Sequence, residues 1–260
     1  MLVLRLFGAG FSMSLRRSLA HRTNLTFDVL LAILTLISEL AVVQLIFTRT
    51  DDLAGWNRAE LLVLVGTFQL MAGIRTAFIE PNLSWFTDQV RNGKMDLYLI
   101  QPASSLFLAS LSSHSPVALT RAVLGLAVIG GGIADHGKLP TIAGLLTWLL
   151  LLATGTVIMW SLGVLVSCLA FWAPRLELDI LFSSALNLAR YPVDIYSRPL
   201  RIVLTYLFPM AVVTTLPTTA LLRGPTLVGT AAAIAAGAGI ALLAIGAWSV
   251  GVRRYTGATS

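Results

Sequence analysis

Most of the charged chemistry in the middle of this sequence is packed into one interval, Glu80 to Ser105, reading EPNLSWFTDQVRNGKMDLYLIQPASS. Glu80, Asp88, Arg91, Lys94 and Asp96 all fall within it, although only 12% of the chain is charged. Long apolar runs flank it, so it can neither sit in lipid nor form a domain of its own. Pro81 is expected to stop the helix arriving from the N-terminal side, and Pro102 marks a second boundary. Between them Leu83–Val90 has room for a turn or two of amphipathic helix, and Arg91-Asn92-Gly93-Lys94 reads as a turn with Gly93 at its bend. The chemistry this suits is contact: a short polar elbow on a membrane surface, against which something outside the membrane can push. The alternative is an ordinary solvated loop.

Catalytic patterns are missing. Asn92-Gly93-Lys94 lacks the upstream glycine of a phosphate-binding loop, so the chain does not bind ATP that way. His21, His114 and His136 are isolated, with no H-E-x-x-H and no paired carboxylates at metal spacing, and no G-x-S-x-G occurs. The single cysteine, Cys168, lies in an apolar run, which excludes a disulfide framework or a cysteine metal site. No catalytic residue, metal or resident cofactor is expected.

Glu39, Gln69 and Arg75 form a second polar group, spread through apolar runs. A carboxylate at the depth of Glu39 costs about 3 kcal/mol on insertion scales. The surrounding Leu, Ile, Val and Phe return roughly 0.3–0.6 kcal/mol each, so the segment still inserts. These residues either line a translocation path or a buried charge pair, or each faces another helix, neutral or hydrogen-bonded. Both readings stay open for Glu39, and the second is the simpler one for Gln69.

The elements that must position these residues are membrane helices. Apolar residues make up 57% of 260 and mean hydropathy is +0.84, so the chain uses lipid as solvent rather than burying one core from water. Residues 1–22 place Phe7, Phe11 and Leu15 on one helical face among arginines, the pattern of an interfacial helix rather than a cleaved signal. Spans are expected at Leu25–Phe47, Ala59–Ile79, Pro116–Ala134 (ended by Gly130-Gly131-Gly132, with Arg121 snorkelling to the inner face) and Thr141–Trp172. Ser104–Ser115 reads as a continuation of the surface segment. Leu178–Ala189 is too short to cross: its 12 residues reach about 18 Å against a hydrocarbon core of about 30 Å. Proline and arginine interrupt the chain from Arg190 to Pro225, which suggests a half-span followed by helices dipping back from the outer face, buried in protein or lining a cavity. The alternative is two tilted full spans. Leu227–Val250, rich in Gly and Ala, is expected to pack against other helices along much of its length.

Net charge is +6 and the pI about 10.1. The basic residues sit mostly at the ends of apolar runs, so they orient the chain in a membrane and do not point to nucleic acid. With both termini inside, Arg5, Arg16, Arg17, Arg22, Arg91, Lys94, Arg175, Arg253 and Arg254 are cytoplasmic. Arg49, Arg58 and Lys138 lie outside, and so do Arg190, Arg198, Arg201 and Arg223, four arginines that run against the rule.

Several stretches resemble one family: Gly66-Thr67-Phe68-Gln69; Val90 through Leu97 and on to Gln101-Pro102; the ARYPVDIY run from Ala189 to Tyr196; Phe208-Pro209 with Pro217; and Arg253-Arg254-Tyr255-Thr256. Together they resemble the permease subunits of type-2 ABC exporters, in a six-span branch of about this length. The resemblance implies an all-α integral membrane protein forming one transmembrane permease domain over residues 1–260. It has an elbow helix over 1–22, a cytoplasmic coupling region over 80–105 and an outer re-entrant region over 190–225. It implies pairing with a second permease, identical or related, and engagement of separate ATPase subunits that alone bind ATP and magnesium. The place would be a bacterial cytoplasmic membrane, with both termini cytoplasmic. By matched positions, Arg91, Gly93, Lys94, Asp96, Leu97, Tyr98, Gln101 and Pro102 would contact the ATPase. Tyr191, Pro192, Pro209 and Pro217 would belong to the gate, with Glu39, Gln69 and Arg75 on the path. The family's substrates range over drugs, lipids, peptides and polysaccharides. The rivals are an ion-coupled secondary transporter using Glu39 and an intramembrane lipid-modifying enzyme.

Overall fold

The computed structural model describes residues 2–20, 22–91, 104–172 and 179–254. The coupling positions Gly93 to Pro102 and the side chain of Arg91 lie outside the described residues. The described chain is all-α: α1 (Leu2–Ala20), α2 (Arg22–Phe47), α3 (Arg58–Phe78), α4 (Glu80–Arg91), α5 (Ser105–Leu111), α6 (Leu119–His136), α7 (Ile142–Cys168), α8 (Asp179–Leu188), α9 (Arg198–Ile202), α10 (Met210–Val213), α11 (Thr215–Leu222) and α12 (Leu227–Arg254). Among the described residues five helices are long and apolar enough to cross a membrane: α2, α3, α6 with the short turn before it, α7 and α12.

Local chemistry sets several helix ends. Asn57 caps α3 by accepting from the Glu60 N–H, while the Glu60 carboxylate accepts from the Asn57 N–H, a reciprocal capping box. Thr141 caps α7 through the Gly144 N–H. Helix α6 does not stop at Gly130–Gly132 as expected; it continues to His136 and ends at Gly137, whose φ of 73° is the left-handed cap glycine favours. Glycine weakens a helix in water largely by freeing the backbone toward solvent, and lipid supplies no competing hydrogen bonds.

The tightest packing joins α3 to α6. Gly66 and Gly125 face each other so closely that a Cβ on Gly125 would lie 2.6 Å from the Gly66 carbonyl oxygen and 2.7 Å from the Leu70 nitrogen. Ala122 lies against Gly73, and Gly132 against Val63, which makes a seam of small residues along both helices. Helix α12 packs along much of its length, but on one face only. It packs along α7 through Gly237, where Thr154 and Ile158 approach, but Gly239 and Gly246 face open space. Leu227, Val228, Leu242, Leu243 and Val250 are exposed, and α2 likewise shows Phe27, Leu30, Leu34 and Leu45.

Pro81 does not end a helix for good. Helix α3 stops at Phe78, and α4 begins at once with Pro81 in its first turn, where a missing N–H costs nothing. The polar elbow is therefore a 12-residue helix, longer than the turn or two expected, and one face is buried. Asn82, Leu83, Phe86 and Thr87 recur at helical spacing on that face. The Asn82 amide donates to the Phe78 and Ser113 carbonyls, each at 2.8 Å, and its oxygen accepts from the Ser113 N–H. The Phe86 ring meets Trp248 of α12 in a tilted contact at 5.0 Å and Phe171, just past α7, edge-on at 5.6 Å.

The interfacial reading of α1 holds as a helix, but Phe7 and Phe11 dock on protein. Both rings meet Phe78 and His114, while Leu15 stays exposed. Neither ring nitrogen of His114 has a hydrogen-bond partner among the described residues, and burial pushes its pKa below the ordinary histidine value. A depressed folded pKa means that the unfolded chain takes up the proton first as pH falls. The stability present above the ordinary value is then lost through the window beneath it. Acidification below about pH 6.5 should therefore loosen α1, measured as faster proteolysis near residue 20, and His114→Phe should abolish that dependence.

After α8 the chain breaks into short pieces, as its prolines and arginines suggest. A π turn (Val203–Leu207) follows α9, Pro209 precedes α10, and Pro217 sits in the first turn of α11. Met210 to Val213 are all buried, and the backbone at Val212 and Val213 approaches Gly155 of α7 closely. The stretch from Met210 to Val213 is thus enclosed by protein, the condition for tolerating broken backbone at membrane depth, whereas Tyr206 and Leu207 in the π turn are exposed.

Candidate functional site

The close approach of Gly66 and Gly125 brings Arg121, one turn before Gly125, against Gln69. Arg121 donates from Nε and Nη2 to Gln69 Oε1 at 3.0 and 2.9 Å. Gln69 Nε2 in turn donates to Glu39 Oε2 at 2.5 Å. On its other side Glu39 Oε1 lies 3.2 Å from Arg190 Nε, an ion pair without hydrogen-bond alignment. Glu39 and Gln69 are buried, and α2, α3, α6 and the turn after α8 meet in this chain.

Arg190 is aimed inward by the broken block. The Thr214 hydroxyl donates to the Ala189 carbonyl at 2.7 Å, the Val193 N–H reaches Thr215 at 3.4 Å, and the Tyr196 hydroxyl donates to Leu188 at 2.8 Å. The guanidinium also lies 5.4 Å from the Phe68 ring centroid, a cation–π distance. Glu39 and Gln69 are brought together by a hydrogen bond, and the charged partner of Glu39 is Arg190. Arg75 is not: it bridges Glu80 at 3.1 Å across the bend between α3 and α4. Tyr191 is half-buried and Pro192, Pro209 and Pro217 are buried, and none of the four lines either of the two cavities beside Arg121.

Sequence reasoning missed Arg121 and Arg190 as partners of Glu39. It assigned the first to snorkelling and the second to the outer surface. The signal was present, since a mid-membrane carboxylate needs a cation and the outer arginines were in excess. Two more of them are also accounted for. Arg223 clasps Glu60 with Nε and Nη2, each 2.7 Å from a carboxylate oxygen, and lies 4.8 Å from the Trp56 ring centroid. Arg201 lies 4.0 Å from Asp194. Arg190, Arg201 and Arg223 thus each have a carboxylate partner within the protein, which charge counting along the sequence does not see. Arg223→Met is expected to lower stability by about 1–2 kcal/mol, because the pair is bidentate but Arg223 is partly exposed. Thermal unfolding in detergent measures it, and Arg201→Met, at a looser exposed pair, should cost less.

The chemistry of the set is electrostatic rather than covalent. Three arginines (Arg75, Arg121, Arg190) meet two carboxylates (Glu39, Glu80), and no group of three or more metal-binding side chains occurs among the described residues. A cavity of about 40 Å³, large enough for a water or two, lies between Phe68, Arg75, Arg121 and Met159.

A family model described as ABC-2 family transporter protein matches residues 33–259, nearly the whole chain. No curated protein and no solved structure gives a significant match.

Proposed function

This chain belongs to the ABC-2 family of transporter proteins, and on that premise we propose that it couples ATP hydrolysis by a separate ATPase subunit to substrate efflux. As an ABC transporter membrane subunit it is a transport component rather than an enzyme. The observation that carries the coupling reading is the anchoring of α4. It continues α3 through a one-residue bend, is pinned by Asn82, and places Phe86 between Phe171 just past α7 and Trp248 in the C-terminal part of α12. A push on the segment after Arg91 would move three spanning helices together. The proposed contact comprises Arg91, Gly93, Lys94, Asp96, Leu97, Tyr98, Gln101 and Pro102.

In this reading both termini and α4 face the cytoplasm of a bacterial inner membrane. The sixth crossing is made by α8 with the broken helices, where Tyr191, Pro192, Pro209 and Pro217 form the outer gate. A second permease, identical or related, covers the exposed faces of α2 or α12. Co-expression with an ATP-binding subunit should yield a complex whose ATP hydrolysis drives export from loaded vesicles. Transport by the chain alone on an ion gradient would overturn the proposal. Glu39 already holds a cation in Arg190, so Glu39→Gln should leave ATP-dependent export within a few-fold of the parent, where a proton-coupled carrier would lose transport outright.

A further inference from the structure

A crevice of about 260 Å³ lies where α2 meets the end of α3 and the start of α6. It is lined by Asp28, Thr35, Thr76, Ser115 and Arg121 together with apolar Leu31 and Val117. Arg121 spends two of its five N–H donors on Gln69, and the rest have no partner among the described residues. Asp28 is exposed, and it too has no hydrogen-bond or ion-pair partner among them. The Thr35 and Thr76 hydroxyls already donate, to the Leu31 carbonyl at 2.8 Å and the Glu80 carboxylate at 3.1 Å, so toward the crevice their oxygens act as acceptors. The lining thus offers a carboxylate and an acceptor from α2, an acceptor from α3 and a guanidinium from α6.

A ligand with only an anion would meet Asp28, and one with only a cation would meet Arg121. The complement carries both charges. The mouth opens onto the exposed apolar face of α2, where Phe27 and Leu31 are each 60% exposed and Leu34 is 50% exposed. An acyl chain fits there while the headgroup fills the crevice. The volume falls just under the small-molecule range that begins near 300 Å³, which suits a headgroup and not a peptide or a sugar chain. Beyond Arg121 the polar path continues through Gln69 and Glu39 to Arg190. Resting on the transport reading above, we propose that this crevice takes the zwitterionic headgroup of a membrane amphiphile, entering sideways from the lipid.

The test is equilibrium binding of radiolabelled lysophosphatidylcholine to the full chain in nanodiscs, without any ATPase. Binding should be about tenfold tighter than that of tail-matched lysophosphatidylglycerol, the scale of one additional charge contact. Asp28→Asn, at an exposed position, should weaken lysophosphatidylcholine about tenfold and erase the preference, and Val117→Trp, which adds bulk to the lining, should weaken both lipids. Equal binding of the two lipids, or an unchanged preference in Asp28→Asn, would overturn the proposal. So would competition by tail-free glycerophosphocholine as strong as that by the lysolipid, since the ligand would then be a soluble zwitterion. Because no nucleotide enters the assay, failure here leaves ATP coupling standing, and failure to find an ATPase partner leaves the binding result readable.

Discussion

Replacing Arg190 by methionine should cost the folded protein about 3 kcal/mol, the low end of what removing one member of a buried pair costs. The loss falls on Glu39, whose side chain is 4% exposed and is left with Gln69 as its only direct partner among the described residues. The reverse change, Glu39→Gln, should cost only about 1 kcal/mol, because the Arg190 side chain is 32% exposed and retains access to water and the Phe68 ring. Arg190→Met combined with Glu39→Gln should recover most of the loss, since a neutral amide keeps the Gln69 contact and no bare charge remains. Thermal unfolding of the four proteins in one detergent gives the cycle. Equal losses in the two single variants, with simple addition in the double, would show that the pair is not a unit.

The second large effect is expected at the α3–α6 seam. Gly125→Leu places a side chain where backbone already stands, at 2.6 and 2.7 Å, and neither rotamer change nor a neighbouring side chain can make room. Overpacking usually costs about 1–3 kcal/mol, and here the two helices must separate, so the cost should exceed that range. Separation also breaks the Arg121–Gln69 contact one turn away. Gly130→Leu and Gly131→Leu, on the same helix facing open space, should be tolerated. Yield of monodisperse protein by gel filtration distinguishes the two classes, and equal behaviour of Gly125→Leu and Gly131→Leu would contradict the seam.

These two sites also show where sequence reading succeeds and fails. Span positions were legible because lipid imposes a length on apolar runs: α2 ends at Phe47 and α7 follows Thr141, both as expected. The broken block was legible because proline and arginine cannot continue a lipid-facing helix. Partnerships were not. Hydropathy places Glu39 at mid-membrane but says nothing about which helix face meets it, and Arg190 lies 151 residues away after a helix too short to cross. Glycine content alone does not reveal which glycines meet a neighbour. It permits close approach without requiring it, so Gly66 and Gly125 touch while Gly239 and Gly246 face open space. The bend at Pro81 was read as an end because proline stops a helix only when it is not already starting the next one.

The most direct measurement is the side of the membrane on which Gly93 lies. In a Gly93→Cys variant, Cys168 is buried and should stay silent, so a membrane-impermeant maleimide reports the new thiol alone. Labelling should occur in inverted membrane vesicles and not in intact cells, placing the end of α4 where an ATPase can push it. Labelling in intact cells would put that end outside, beyond the reach of any cytoplasmic motor, and the coupling role would be lost.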